Sequence, residues 1–365
     1  MLRFIAALMI IISHSYEWWC GKWGFPGFMS HNTHTELSSL GKHLDAGIRN
    51  FNFGVDVFFL VIGFLITYIL LAEKGTFGKI NIPKFYVRRI LRIWPLYFLI
   101  IAITPVYVNW LSITPPDYWS NLLFWNNFHA ISTQQWTFPV AHLWSICIEE
   151  HFYLVWPIII AFVPTKKLPP VFVAIIAASI FYRAYTFMNS DNSWFIIYLH
   201  TLSRCDVLCI GALAAYVHYH NPIKISVNLW VRLVIYAVFI YMFFTDNVNN
   251  YENLFLATIK KYFYTGVAGF AMLNYMFNAQ AKLSFKKRNA LHYFGKVSYG
   301  IYMYGVFVLG IVFHKIMSHY EFPNMYLYFS LIIAGSLLIP AISYEIFEKF
   351  FLRLKRKFEI VDAGR

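Results

Sequence analysis

The sequence predicts an all-α, polytopic membrane protein with about ten transmembrane helices around a polar cavity. Three observations carry this. Of 365 residues, 59% are hydrophobic and 13% charged, about half the charge usual in soluble domains. Apolar runs close to the length needed to cross a bilayer recur along the chain. Lys and Arg gather in alternate connections between those runs. The same composition excludes a disordered chain, a coiled coil and a disulfide scaffold. Because the basic residues sit between apolar runs, the net charge of +13 reads as membrane topology, and no nucleic-acid partner is expected.

Taken in order, spans are expected at 2–18, 52–72, 88–109, 142–163, 169–188, 196–217, 229–245, 262–279, 292–317 and 324–350. The first run carries Arg3 and His14 and lacks a small-residue cleavage site, so it reads as a span and not as a signal peptide. One set of connections holds Lys74, Lys79, Lys84, Arg88 and Arg89, then Lys166 and Lys167, Lys224, Lys282 to Arg288, and Arg353 to Lys357. The other set holds Lys22, Lys42, Arg49, Lys260 and Lys261. The richer set is expected in the cytoplasm, with both termini. One integral-membrane domain is therefore expected over 1–352, followed by a short basic cytoplasmic tail at 353–365. Of the four cysteines, Cys205 and Cys209 are four apart on an apolar helix, the pattern of packed thiols. The external segment 19–51 holds His31, His34 and His43, without the further ligands a metal would need. The segment 110–141, with Trp110, Trp119, Trp125 and Trp136, suits either sugar stacking or an interfacial aromatic belt.

Ionisable groups inside spans are costly and tend to face a cavity or a partner. Arg3 and His14 are eleven residues apart, about 20° past three turns, and so share a helix face about 16.5 Å apart. That suits a ligand lying along the helix, or equally a snorkelling Arg3 and a packed His14. Arg88, Arg89 and Arg92 fall in one sector at a helix end, fit either for phosphate or for anionic lipid. His142, Ser145 and Glu149 share a face, beside Trp144, Glu150, His151 and Tyr153. Arg204 and Asp206 add an ion pair inside an apolar run. Four such clusters argue for a polar cavity.

In this order the motifs resemble the membrane-bound acyltransferase family 3. Its opening R-x10-H is similar to Arg3 and His14. Its FF-x-x-SGFLI is similar to 58–66, its FY-x-RR-x-x-RI-x-P-x-Y to 85–97, and its H-x-WSL-x-x-EEQFYL-x-WP to 142–157. Its R-x-D followed by Gly is similar to Arg204, Asp206 and Gly211, its ISYGIYLWH to 297–305, and its closing SY-x-x-x-EKPF to 343–351. Ile62 stands for the usual Ser, His151 for Gln and Gly305 for the late His. With no fused hydrolase-like domain in the sequence, the resemblance is to stand-alone members.

The resemblance implies transfer of an acyl group, acetyl first among them, from cytoplasmic acyl-coenzyme A to a hydroxyl of a surface glycan or lipid-linked sugar, in a bacterial inner membrane and without a metal. His14 would be the general base, with a neutral imidazole suited to take the hydroxyl proton. Glu149 would orient it, and Arg88, Arg89 and Arg92 would hold the donor phosphates. Arg3 would join both sets. His142, Trp144, Ser145, Glu150, Tyr153, Arg204 and Asp206 would support the cavity. Ser145 as nucleophile stays open, as does an acyl-histidine intermediate. The rival reading is a transporter or flippase, or a non-catalytic component of polysaccharide export, since intramembrane Arg, Glu and His occur there too.

Overall fold

The computed structural model describes residues 1–23, 39–221, 227–246, 248, 252–277, 290–320 and 324–360. His31, His34, Lys224, Lys282, Lys286, Lys287 and Arg288 lie outside them. The described residues are helical and contain no strand. In chain order the helices are α1 (Leu2–Trp23), α2 (Ser39–Arg49), α3 (Gly54–Phe77), α4 (Ile82–Leu111), the short α5 (Tyr118–Leu122) and α6 (Asn126–Thr133), and α7 (Trp144–Phe162). There follow α8 (Leu168–Asn189), α9 (Ser193–Leu199), α10 (Thr201–His220), α11 (Leu229–Thr245), α12 (Lys261–Phe277), α13 (Ala290–Ile311), α14 (Met325–Ser343) and α15 (Lys349–Arg356).

Local chemistry sets the boundaries. At α4 the Asn81 side chain accepts the Lys84 amide at 3.0 Å, and Pro83 occupies the first turn, where its missing N–H costs nothing. His200 interrupts the run between α9 and α10. Its Nδ1 accepts the Leu202 amide at 3.2 Å, and the two helices meet at 46°. Asn324 caps α14 by accepting the Leu327 amide at 3.0 Å. A wide π-type turn, Tyr344–Glu348, then carries α14 into α15.

Among the described residues, six helices are long and apolar enough to cross a membrane, or seven with α9 and α10 taken as one bent span. The chain is thus a multi-pass membrane protein. The expected ten spans all fall on helices, but length and composition do not support that count. α1 mixes Arg3, His14, Glu17 and Lys22 into its run, and α11 and α12 have 17 residues each.

Small residues let α3 and α10 touch backbone to backbone. A Cβ on Gly63 would lie 2.7 Å from the Leu208 carbonyl carbon, and one on Gly211 would lie 2.8 Å from the Phe64 amide. In a bilayer such close approach supplies the dispersion energy that apolar lipid cannot. Gly211, singled out by its motif, is therefore a packing position.

Buried ion pairs lock the same helices. Arg204 on α10 meets Asp56 on α3 at 3.0 Å. Asp206 meets Arg183 on α8 at 2.5 Å and Lys261 on α12 at 3.0 Å, and accepts the Tyr262 hydroxyl at 2.6 Å. The expected pairing of Arg204 with Asp206 is thus corrected. Residues two apart on a helix point to opposite faces, so each finds a partner on a different neighbour.

Candidate active site

Two chambers lie along α1, one at each end. The first, of about 410 Å³, is lined by His14, Glu17 and Trp18 of α1, by Asn52 and Val55, by Trp136 and Phe138 of the segment before α7, by Trp144, and by Tyr302 of α13. His14 faces it with its Nδ1 3.6 Å from a Glu17 carboxylate oxygen, an electrostatic contact longer than a hydrogen bond. Asn52 donates to the other Glu17 oxygen at 2.9 Å, which fixes the carboxylate. His14 and Glu17 are three apart on one helix, so backbone geometry alone brings them together. Trp18, Trp136, Phe138, Trp144, Trp194 and Tyr198 give the walls ring faces and edges, the surfaces on which the apolar faces of sugar rings pack.

The second chamber, of about 450 Å³, lies at the Arg3 end of α1. Its walls include Arg3, Arg88, Arg89 and Arg92, with Glu149 and Tyr153 of α7 and Tyr299 of α13. Arg88 is buried and committed: it pairs with Glu73 at 3.1 Å and donates to the Phe358 carbonyl at 3.0 Å. The Arg89 guanidinium lies over the Phe85 and Tyr153 rings, 5.5 and 5.8 Å from their centroids. Tyr153 donates its hydroxyl to Glu149 at 3.3 Å. The Trp94 indole donates to Glu150 at 3.1 Å.

Between the chambers the space narrows to a slit of about 20 Å³, and a second slit of about 10 Å³ adjoins the His14 chamber. Tyr302 lines both slits and the His14 chamber. Its hydroxyl donates to the His142 carbonyl at 2.8 Å and lies 2.7 Å from the Ser145 hydroxyl. The Ser145 hydroxyl also lies 3.4 Å from that carbonyl, so the two hydroxyls share one acceptor and either can donate across the pair. Neither of these partners is a base that would hold the Ser145 proton. Gly305, in place of the motif's late His, packs against Ile11 of α1 and borders the smaller slit.

The sequence-predicted residues therefore divide. His14, His142 and Trp144 meet at one chamber, Arg3, Arg88, Arg89, Arg92, Glu149 and Tyr153 at the other, with Ser145 between them. The expected pairing of Glu149 with His14 is corrected. Glu149 sits with Arg3 in the second chamber, and the carboxylate beside His14 is Glu17. Arg204 lines neither chamber. Its guanidinium sits over the Phe59, Trp144 and Tyr198 rings, behind the wall. The walls come from α1, α3, α4, α7, α9, α13 and α15; of the expected sixth span, 196–217, Tyr198 on α9 lines the His14 chamber and α10 buttresses it from behind. Of the four loop tryptophans, Trp136 reaches the His14 chamber. Trp119 and Trp125 border a separate surface hollow with Asp117 and His129, and the Trp110 ring lies under Lys315.

Sequence reading missed Glu17, Asn52, Tyr302 and Glu73. The first had a signal, an acidic residue one turn after His14. Among the described residues no group of three or more His, Cys, Asp or Glu is placed to hold a metal.

Comparison with known proteins is consistent in kind. A family model described as an acyltransferase domain, of acyltransferase family 3, matches residues 1–345. The putative peptidoglycan O-acetyltransferase YrhL of Bacillus subtilis is 36% identical over 146 residues, 36% of this chain and 23% of its own. The O-acetyltransferase OatA of Staphylococcus aureus is 28% identical over 243 residues, 60% of this chain and 40% of its own. The peptidoglycan O-acetyltransferase OatA of Listeria monocytogenes is 26% identical over 285 residues, 69% and 44%. The match spans less than half the length of each of these relatives. No solved structure matches.

Proposed function

The chain belongs to acyltransferase family 3, and from that premise we propose that it is a membrane O-acetyltransferase. It takes acetyl from cytoplasmic acetyl-coenzyme A in the arginine chamber and delivers it to a hydroxyl of a cell-wall glycan, or of its lipid-linked precursor, in the His14 chamber. The observation that carries this reading is the pair of chambers along α1, one basic with Arg3 in its wall and one aromatic with His14, separated by a slit that Tyr302 borders. The relatives named for peptidoglycan favour a glycan acceptor. The membrane is the bacterial cytoplasmic membrane, with the arginine chamber toward the basic, cytoplasmic connections. The integral-membrane domain is taken as 1–352.

In this mechanism Arg89 and Arg92 receive donor phosphates and Arg3 guides the pantetheine arm inward. The arm displaces Tyr302 from the constriction and brings the thioester carbonyl to His14. With donor and acceptor in place, Glu17 closes from 3.6 Å to accept a hydrogen bond from Nδ1–H of His14, which leaves the Nε2 lone pair free as base. Nε2 takes the acceptor hydroxyl proton as its oxygen attacks the carbonyl carbon. The tetrahedral intermediate then expels the coenzyme A thiolate, and the imidazolium returns the proton to that sulfur. Glu17 stabilises the imidazolium between the two steps. Glu149 stays in the arginine chamber and balances Arg3.

Thiol release from acetyl-coenzyme A by the purified protein, with and without cell-wall glycan fragments, tests the reading. Acceptor-dependent thiol release with ester formation is the expected result. A protein that moves glycan across vesicles but leaves the thioester intact is a transporter, and the proposal is then wrong.

A further inference from the structure

The arginine chamber is closed by a segment to which the mechanism above gives no role. α15 ends at Arg356, and the following residues turn so that Glu359 and Ile360 join Lys355 and Arg356 in the chamber wall. Arg88 pins this turn through the Phe358 carbonyl, while Glu73 takes its charge. Lys355 reaches Glu359 at 3.3 Å, a partly exposed pair of small energetic weight.

The remaining charge in the chamber is unbalanced. Six basic side chains and three carboxylates line it, and Glu73 and Glu359 are already engaged. The buried Nε atoms of Arg3 and Arg89 make no hydrogen bond among the described residues. Basic groups converging on one cavity repel one another unless an anion lies between them. Unmade hydrogen bonds to buried guanidinium groups point the same way.

We propose that Lys355 and Arg356 are donor-binding residues that, with Arg89 and Arg92, hold the phosphate groups of the acyl donor, while Arg88 anchors the segment 357–360 and does not touch the ligand. This rests on the acyl-coenzyme A reading above. The donor chamber thus draws on the first and the last described helices: Arg3 of α1, which guides the pantetheine arm, and Lys355 and Arg356 of α15, which hold phosphates. A lipid phosphate offers the same chemistry as a nucleotide phosphate, and the experiment separates them.

Coenzyme A and pantetheine, which lacks all the phosphates, are titrated into the purified full chain. Lys355→Gln and Arg356→Gln are each expected to weaken coenzyme A binding about tenfold, the usual weight of one charge-assisted contact. Pantetheine binding should stay unchanged. Lys349→Gln, on the same helix but paired with Glu345 outside the chamber, should behave as wild type. Lys355→Arg should restore affinity, which excludes misfolding as the cause. If wild type binds no coenzyme A, the donor reading itself fails. If wild type binds it and the Lys355 and Arg356 variants bind equally well, or lose pantetheine in proportion, this inference is overturned. Lys355-dependent thermal protection by phosphatidylglycerol, without protection by coenzyme A, would mark a lipid site and also overturn it.

Discussion

Tyr302→Phe is the substitution that most directly tests the constriction. The ring, tilted against Phe58 and edge-on to His142, stays. The hydroxyl goes, and with it the bond to the His142 carbonyl at 2.8 Å and the bond shared with Ser145 at 2.7 Å. Each such bond is worth about 1 kcal/mol net. Losing both weakens the closed arrangement by about 2 kcal/mol, which raises the open population about 30-fold. A cysteine placed at Ile62, in the wall of the arginine chamber, reports this without any assumption about chemistry. In a background where Cys20 is replaced by Ser, a membrane-impermeant thiol reagent is added on the His14 side of oriented vesicles. Labelling of Ile62→Cys should be slow with Tyr302, about 30-fold faster with Phe and faster still with Ala. From the arginine side all three should label alike. Equal rates from the His14 side would mean that the Tyr302 hydroxyl does not hold the chambers apart, and the reasoning would fail.

Other substitutions probe single contacts. His14→Ala should lower acyl transfer by about 10²–10⁴-fold while coenzyme A still binds, the usual weight of a general base; wild-type turnover would remove His14 from the mechanism. Glu17→Gln should reduce kcat with little change in donor affinity. Glu149→Gln should instead alter donor affinity, because it shares the chamber of Arg3, and steady-state kinetics with both substrates separates the two. Asp206→Asn leaves Arg183 and Lys261 buried beside a neutral group. It should cost about 3–5 kcal/mol of stability, read as a lowered Tm in detergent.

The helices were legible because apolar runs of bilayer length have few other uses, and each expected span does fall on one. The gathering of Arg88, Arg89 and Arg92 at one chamber was legible from their spacing on one helix, but the commitment of Arg88 to Glu73 and the Phe358 carbonyl was not. The partners of charged groups were not. His14 with Glu149 and Arg204 with Asp206 were joined by proximity in motif or sequence, but pairing is decided by which helices lie side by side. Asp56 and Arg204 are 148 residues apart in sequence and 3.0 Å apart in space. Tyr302 was hidden among several tyrosines of one motif. Only the narrowing of the space around it distinguishes it from Tyr299, which lines the arginine chamber, and from Tyr304, which bonds Ser343.

The placement of the chain ends bears on the number of crossings. Arg3, at the start of α1, and Lys355, at the end of α15, line the same chamber. If two segments that meet in one small cavity share a side of the bilayer, as we propose, the chain between them crosses an even number of times. Among the described residues, length and hydropathy give six crossing helices, or seven with the bent pair taken as one span. The expected ten, which adds α1, α11 and α12 to the seven, is even, and it is the count that this proposal favours. The two added later helices are short in apolar length, but they pack against each other, and Asn274 on α12 donates to the Tyr236 hydroxyl on α11 at 3.2 Å. Cysteines at Leu2 and Glu359 should therefore label from one face of sealed vesicles, and a cysteine at Ser132, exposed at the other end, from the opposite face. If Leu2→Cys and Glu359→Cys label from different faces, the parity argument is wrong, and so is the idea that one donor chamber draws on both α1 and α15.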